Sequence, residues 1–97
     1  MHPKLNVLLV DDCRTVLREL EGILAELEDL AVVGIANNGA AAIRLTGETR
    51  PDLVLLDIVM PGLDGLSALR TIRSLHPETD VVARRDELAS QSLALDS

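Results

Sequence analysis

Residues 51–65 of the chain read PDLVLLDIVMPGLDG. The apolar stretch is short, and the predicted strand over 52–57 ends in a carboxylate, Asp57. Pro51 precedes this stretch, and Met60-Pro61-Gly62 breaks the chain soon after it. An apolar run of this length between two breakers is typical of a strand that is buried on both faces, as in parallel sheets. The stretch therefore predicts an α/β fold.

The rest of the chain alternates strand-like and helix-like segments in the same way. Strands are predicted over 5–10, 31–36, 52–57 and 80–83. Helices are predicted over about 14–28, from a cap at Asn38 to 46 or 47, and from a cap at Asp64 to the residue before Pro77. This order indicates a parallel sheet with right-handed crossovers, in which ligands bind beyond the carboxyl ends of the strands.

The composition of the chain excludes several classes of protein. The 97 residues suffice for one domain, and the net charge of −7 argues against nucleic acid as a direct partner. Without Phe, Trp or Tyr, the core has to be built from Leu, Val, Ile and Ala. A single cysteine, Cys13, excludes an internal disulfide and fits a reducing cytoplasm. Since no apolar run approaches about 18 residues and no secretory signal is evident, we expect a cytoplasmic domain without membrane association.

Three carboxylates follow the predicted strands directly. Asp11 and Asp12 come after the first strand, and Asp57 ends the third. Because the carboxyl ends of parallel strands meet at one edge of the sheet, these side chains should converge there. Three like charges are unfavourable together unless a cation neutralises them, and carboxylate oxygens suit Mg²⁺. An Asp-Asp pair alone would mean little among 16 acidic residues, so position carries the prediction.

Three strings together resemble bacterial response-regulator receiver domains. They are VLLVDD at 7–12, ANNG at 36–39 and the longer string at 51–65, which is the most specific. The resemblance covers residues 4–83 and implies a flavodoxin-like doubly wound parallel sheet, with residues 1–97 forming one receiver domain. It is greatest for receivers fused to helix-turn-helix domains, and methylesterase-linked receivers are also similar.

The resemblance also implies a role for each carboxylate. Asp57 would accept a phosphoryl group from a phosphohistidine on a sensor histidine kinase or a phosphotransfer protein. Asp12 and Asp57 would ligate Mg²⁺ directly, and Asp11 would act mainly through water. The backbone carbonyl of Val59 would supply a further oxygen. Such a domain is not an enzyme beyond its own Mg²⁺-dependent phosphorylation.

The match to the family ends after Val82. Receivers normally end the fourth strand in Thr or Ser, but an ungapped alignment places Arg85 there and a shorter register places Val82 there. Neither residue carries a hydroxyl. Residues 84–97 resemble a divergent remnant of the family's fourth helix, and we interpret Arg84-Arg85 as a solvated turn.

The chain also stops where the family's fifth strand, its lysine and its fifth helix would follow, and Lys4 is the only lysine. The resemblance thus predicts an incomplete receiver of four strands, without an output domain and with impaired phosphorylation. An open sheet edge would favour a homodimer or a strand-exchanged assembly. Two alternatives remain: a phosphorylation-incompetent protein-interaction module, and a Mg²⁺-dependent phosphohydrolase. The second is disfavoured because Val59 stands where the commonest such family has an acid.

Overall fold

A computed structural model describes residues 4–57 and 65–84 of the chain. Its strands are β1 (Leu5–Val10), β2 (Leu30–Ala36), β3 (Leu53–Asp57) and β4 (Asp80–Arg84), and its helices are α1 (Arg14–Ala25), α2 (Gly39–Thr49) and α3 (Gly65–Leu75). Within these two ranges, no helix is long and apolar enough to cross a membrane.

The strands form one parallel sheet in the order β2-β1-β3-β4. This confirms the predicted α/β fold and its flavodoxin-like arrangement. The strand order reverses between β1 and β3, which are direct neighbours with Val10 opposite Leu56. A crevice beyond the carboxyl ends of these two strands is the position where open α/β sheets bind their ligands.

Aliphatic side chains fill both faces of the sheet. On one face, α2 and α3 cover a cluster of buried residues, which comprises Leu8, Val10, Ala36, Ala42, Val54, Leu56, Ala68 and Ile72. On the other face, α1 packs through Leu17 against Val7 and Leu9. Because successive strand residues point to opposite faces, a strand covered on both sides needs apolar residues on both. This holds for Val7–Val10 in β1 and for Leu53–Leu56 in β3.

The helix boundaries follow local hydrogen bonding. Asn38 caps α2 as predicted, and its side-chain oxygen accepts the N–H of Ala41 at 2.8 Å. The helix ends at Thr49, and Arg50 forms a left-handed cap with a positive φ of 45°. The helix α2 is thus two or three residues longer than its sequence indicates. Conversely, α1 ends at Ala25 rather than near residue 28, because the N–H of Leu27 donates to the Leu24 carbonyl in a tightened last turn.

The predicted fourth strand is one residue too short. Arg84 belongs to β4, whereas the sequence placed it at the start of a helical remnant. Residues 85–97, which make up the rest of that predicted remnant, lie outside the described residues, and so does the predicted cap Asp64.

Candidate functional site

The three carboxylates predicted from the sequence lie together at the carboxyl edge of β1 and β3. One ligand oxygen from each of Asp11, Asp12 and Asp57 can be chosen so that all three lie within 4.8 Å of one another. Asp11 and Asp57 are fully buried, and Asp12 is exposed. The three side chains therefore line a crevice, which is buried at Asp11 and Asp57 and open to solvent at Asp12.

Backbone hydrogen bonds hold Asp11 in place. Its N–H donates to the Ala36 carbonyl at 3.0 Å, which ties the end of β1 to the end of β2. Its side-chain Oδ1 accepts the N–H of Cys13, the residue before α1, at 2.9 Å. The carboxylate thus occupies a fixed orientation at the turn from β1 into α1, and Cys13 serves as a half-buried cap residue.

Burial raises the pKa of the Asp11 carboxyl to about 6 from its ordinary value of 3.8. The hydrogen bond from the Cys13 backbone opposes this rise, the negative charge of Asp57 adds to it, and the positive charge of Arg84 opposes it. A hydrogen bond with the Asp12 side chain raises the pKa a little further. Desolvation and the like charge of Asp57 both disfavour the ionised form of Asp11. A cation bound here would offset these negative charges, so the cluster should attract one.

A fourth charged residue, Arg84, also reaches this site. Its Nη2 donates to Oδ2 of Asp11 at 2.8 Å in a partly buried ion pair. In the β3–β4 ladder, Arg84 is the register partner of Asp57. The interpretation of Arg84 as part of a solvated turn is therefore wrong, because β4 continues to this residue and carries its side chain to the carboxylates.

The register of β4 also locates the residues considered for the family's hydroxyl position. Val82 pairs with Leu55, two residues before Asp57, and its side chain is 49% exposed. Val82 therefore does not stand beside Asp57, whereas Arg84 does. Arg85 lies outside the described residues, as does Val59, whose backbone carbonyl was predicted to be a metal ligand.

Two further residues with basic side chains, Lys4 and His76, lie apart from the cluster. Lys4 is exposed and precedes β1, so it stands at the amino end of the strand whose carboxyl end leads to Asp11. His76 follows α3, and its Nδ1 lies 3.8 Å from a carboxylate oxygen of Glu78. Among the cations of the described residues, Arg84 is the one that the structure pairs with the carboxylate cluster.

The donor set matches the requirements of Mg²⁺. Carboxylate oxygens are hard ligands, and Mg²⁺ retains several waters while taking one or two carboxylates from the protein. The exposed side of the cluster at Asp12 leaves space for those waters. The buried charges of Asp11 and Asp57 supply the electrostatic attraction. The residues present therefore fit a magnesium ion.

Comparison with known proteins agrees with this geometry. The family model described as the response regulator receiver domain matches residues 7–91. A protein-glutamate methylesterase/protein-glutamine glutaminase from Caldanaerobacter subterraneus is 46% identical over 77 residues, which are 79% of this chain and 21% of that protein. Response regulator GacA from Pseudomonas viridiflava is 40% identical over 79 residues, which are 81% of this chain and 37% of that protein. The chain thus spans well under half the length of these relatives.

A solved structure shows the same architecture. The CheX-CheY-BeF3-Mg complex from Borrelia burgdorferi contains a chain that matches with a TM-score of 0.80 and 25% identity. The match covers 98% of this chain and 74% of that one. The sequence relatives and the solved structure thus relate the chain to the same kind of domain.

Proposed function

The chain belongs to the response regulator receiver domain family, and we propose that its Asp57 accepts a phosphoryl group. The donor would be a phosphohistidine on a sensor histidine kinase or a phosphotransfer protein. The observation that supports this most is the convergence of Asp11, Asp12 and Asp57 at the carboxyl edge of β1 and β3. Three carboxylates this close together favour a cation that offsets their charge, and such a cation can assist phosphoryl transfer.

The proposed reaction is a transfer between two nucleophiles. A carboxylate oxygen of Asp57 attacks the phosphorus in line with the leaving nitrogen. The new O–P bond forms as the N–P bond breaks, and the histidine keeps the electron pair of that bond and takes up a proton. The product is an acyl phosphate on Asp57. Positioning of the two reacting groups and charge neutralisation are the main contributions that the protein makes to this transfer.

Within the site, we assign Mg²⁺ to the carboxylates. Asp12 and Asp57 would bind it directly, and Asp11 would hold its waters, with the Val59 carbonyl as a further ligand. The ion would supply charge neutralisation for the transferring phosphoryl group. The CheY relative, whose structure was solved with BeF3 and Mg²⁺, supports this assignment.

The partners follow from the same proposal. A receiver acts through a kinase or phosphotransfer protein that supplies the phosphoryl group, and such proteins meet their receivers in the cytoplasm. Self-association stays a prediction. In the described residues, β4 is hydrogen-bonded to β3 alone and exposes Val82, so a second copy could pair along this edge. Sedimentation velocity at several concentrations tests this, and a monomer at all of them would exclude it.

Phosphorylation by a small donor tests the proposed function. The protein is incubated with acetyl phosphate and Mg²⁺, and its intact mass is followed over time. We expect wild type to gain one phosphoryl group slowly and incompletely, and Asp57→Asn to gain none. Asp80→Asn is the matched control, because Asp80 is an exposed aspartate at the amino end of β4. Control and wild type should behave alike.

The ion pair between Arg84 and Asp11 favours one alternative, a protein-interaction module that is never phosphorylated. A guanidinium on Asp11 offsets part of the charge that a metal would otherwise neutralise. If wild type gains no phosphoryl group from acetyl phosphate or from a phosphorylated kinase domain, while its fold is intact, the alternative replaces the proposal.

A further inference from the structure

We infer that Arg84 is a built-in cation that competes with a divalent metal ion for the carboxylate cluster, so that metal binding displaces its guanidinium from Asp11. The inference rests on the proposed function, since it concerns the regulation of the same site. It assigns to Arg84 the role of a positioning residue, which acts through Asp11 rather than on the phosphoryl group itself.

The first observation is the geometry of the ion pair. Nη2 of Arg84 lies 2.8 Å from Oδ2 of Asp11, a carboxylate whose side chain is only 1% exposed. The other oxygen of Asp11 accepts the Cys13 N–H. Both oxygens are therefore engaged, one with an immobile backbone group and one with a side chain. An ion or a metal-bound water that binds Oδ2 of Asp11 therefore has to share this oxygen with the guanidinium or displace it.

The second observation is the position of Arg84 in the sheet. It is the register partner of Asp57, so the guanidinium reaches Asp11 from beside the proposed phosphoacceptor. The cation therefore lies among the same carboxylates that would bind a metal. Two cations in one cluster repel each other, and a divalent ion offsets more of the carboxylate charge than a guanidinium does.

The third observation indicates that the guanidinium is loosely held. Its Nε is buried without a hydrogen-bond partner in the described part of the chain. A buried donor that lacks a partner costs free energy, and this cost disappears when the side chain moves out to water. The Arg84 side chain is 25% exposed, so a path to solvent exists. Displacement is therefore compatible with the packing around it.

Metal affinity measured on matched variants tests the inference. Mn²⁺ or Mg²⁺ binding is followed by calorimetry for wild type, Arg84→Gln and Arg84→Lys at one ionic strength. Arg44→Gln is the control, because Arg44 is an exposed arginine on α2 that pairs with Glu48. We expect Arg84→Gln to bind the ion more tightly by at least about tenfold, even with water-like screening between the two cations. Arg84→Lys, which keeps the charge, and Arg44→Gln should stay close to wild type.

Thermal unfolding provides a second test, which remains informative if Arg84→Gln is less stable than wild type. Arg84→Gln leaves the Asp11 charge buried without its cation, so the variant should melt below wild type in the absence of metal. Saturating Mg²⁺ should raise its melting temperature by more than it raises that of wild type. If the two proteins gain equally, or if the ion binds Arg84→Gln no more tightly than wild type, Arg84 is a structural ion pair and the inference is wrong.

These outcomes are separable from those of the proposed function. Metal competition without phosphorylation of Asp57 would keep the role of Arg84 and overturn the phosphoacceptor assignment. Phosphorylation of Asp57 with equal metal affinity in wild type and Arg84→Gln would keep the phosphoacceptor assignment and overturn the role of Arg84. If neither protein binds a divalent ion, the inference fails together with the magnesium assignment, and only the acceptor role of Asp57 can remain.

Discussion

The two halves of the carboxylate site are built differently. The acidic half consists of Asp11, Asp12 and Asp57 at the carboxyl ends of β1 and β3. These two strands lie in the middle of the sheet and are packed between helices on both faces. The cationic half comes from β4, whose residues are exposed or half-buried throughout. In the described residues, β4 has one strand neighbour. The carboxylates thus lie at the carboxyl ends of the two most buried strands, and the opposing charge lies on the least buried strand.

This difference separates what is fixed from what can move. Asp57 cannot shift without disturbing the buried residues that precede it in β3. Arg84 is attached to the cluster through one ion pair and belongs to a strand whose residues are exposed or half-buried. Local openings in proteins begin where burial is low, so the cation is expected to respond to ligands while the carboxylates stay in place.

Core substitutions should show the largest contrast between the halves. Leu56→Ala in β3 removes a fully buried side chain and should lower the free energy of unfolding by about 2–5 kcal/mol. Val82→Ala in β4 removes a half-exposed side chain and should cost less than about 1 kcal/mol. Urea denaturation of both variants measures the difference. Equal losses would show that β4 is as firmly packed as β3 and that the two halves of the site do not differ in this respect.

Metal binding should depend strongly on the exposed ligand of the acidic half. Asp12→Asn removes the charge of a proposed direct ligand, and the affinity for Mg²⁺ should fall at least about tenfold. Because Asp12 is exposed, the fold should not change. Amide chemical shifts near the cluster, followed during a Mg²⁺ titration, report the affinity. Asp80→Asn at the opposite end of β4 is the control, and an identical response in Asp12→Asn and wild type would contradict the assigned ligand.

Acid should weaken metal binding through Asp11. Burial raises the pKa of this carboxyl to about 6, so the metal-free protein holds a proton there at pH values where an ordinary aspartate has lost it. The ion must displace that proton. The apparent affinity should therefore fall about tenfold between roughly pH 7 and pH 5. In Asp11→Asn the decline should be smaller. An affinity for wild type that stays level over this range would rule out the effect.

Most of the fold was predictable because its signals are local. Continuous apolar runs predicted β1 and β3, and the Asn38 cap predicted the start of α2. The carboxylate cluster followed from one geometric rule, that parallel strands end at the same edge. The predicted ends of the helices and strands were less accurate than the predicted elements themselves. The end of α1 depends on a tightened last turn, which the apolar periodicity of the sequence does not reveal.

The role of Arg84 was not predictable in the same way. Its ion pair joins residues 73 positions apart and depends on where β4 ends and on its register with β3. A strand that ended one residue earlier would leave this side chain in a turn. The sequence did contain a partial signal: Arg84 stands two residues after Val82, so alternation places both on the same face of the strand. Without the register, that signal could not be connected to Asp57.

Chemical identification of the modified residue shows directly whether Asp57 accepts the phosphoryl group. The protein is treated with acetyl phosphate and Mg²⁺, reduced with borohydride to trap the acyl phosphate, digested and sequenced by mass spectrometry. We expect the reduced residue to be Asp57, with Asp11, Asp12 and the other carboxylates unmodified. A reduced residue at Asp11, at Asp12 or outside the cluster would contradict it.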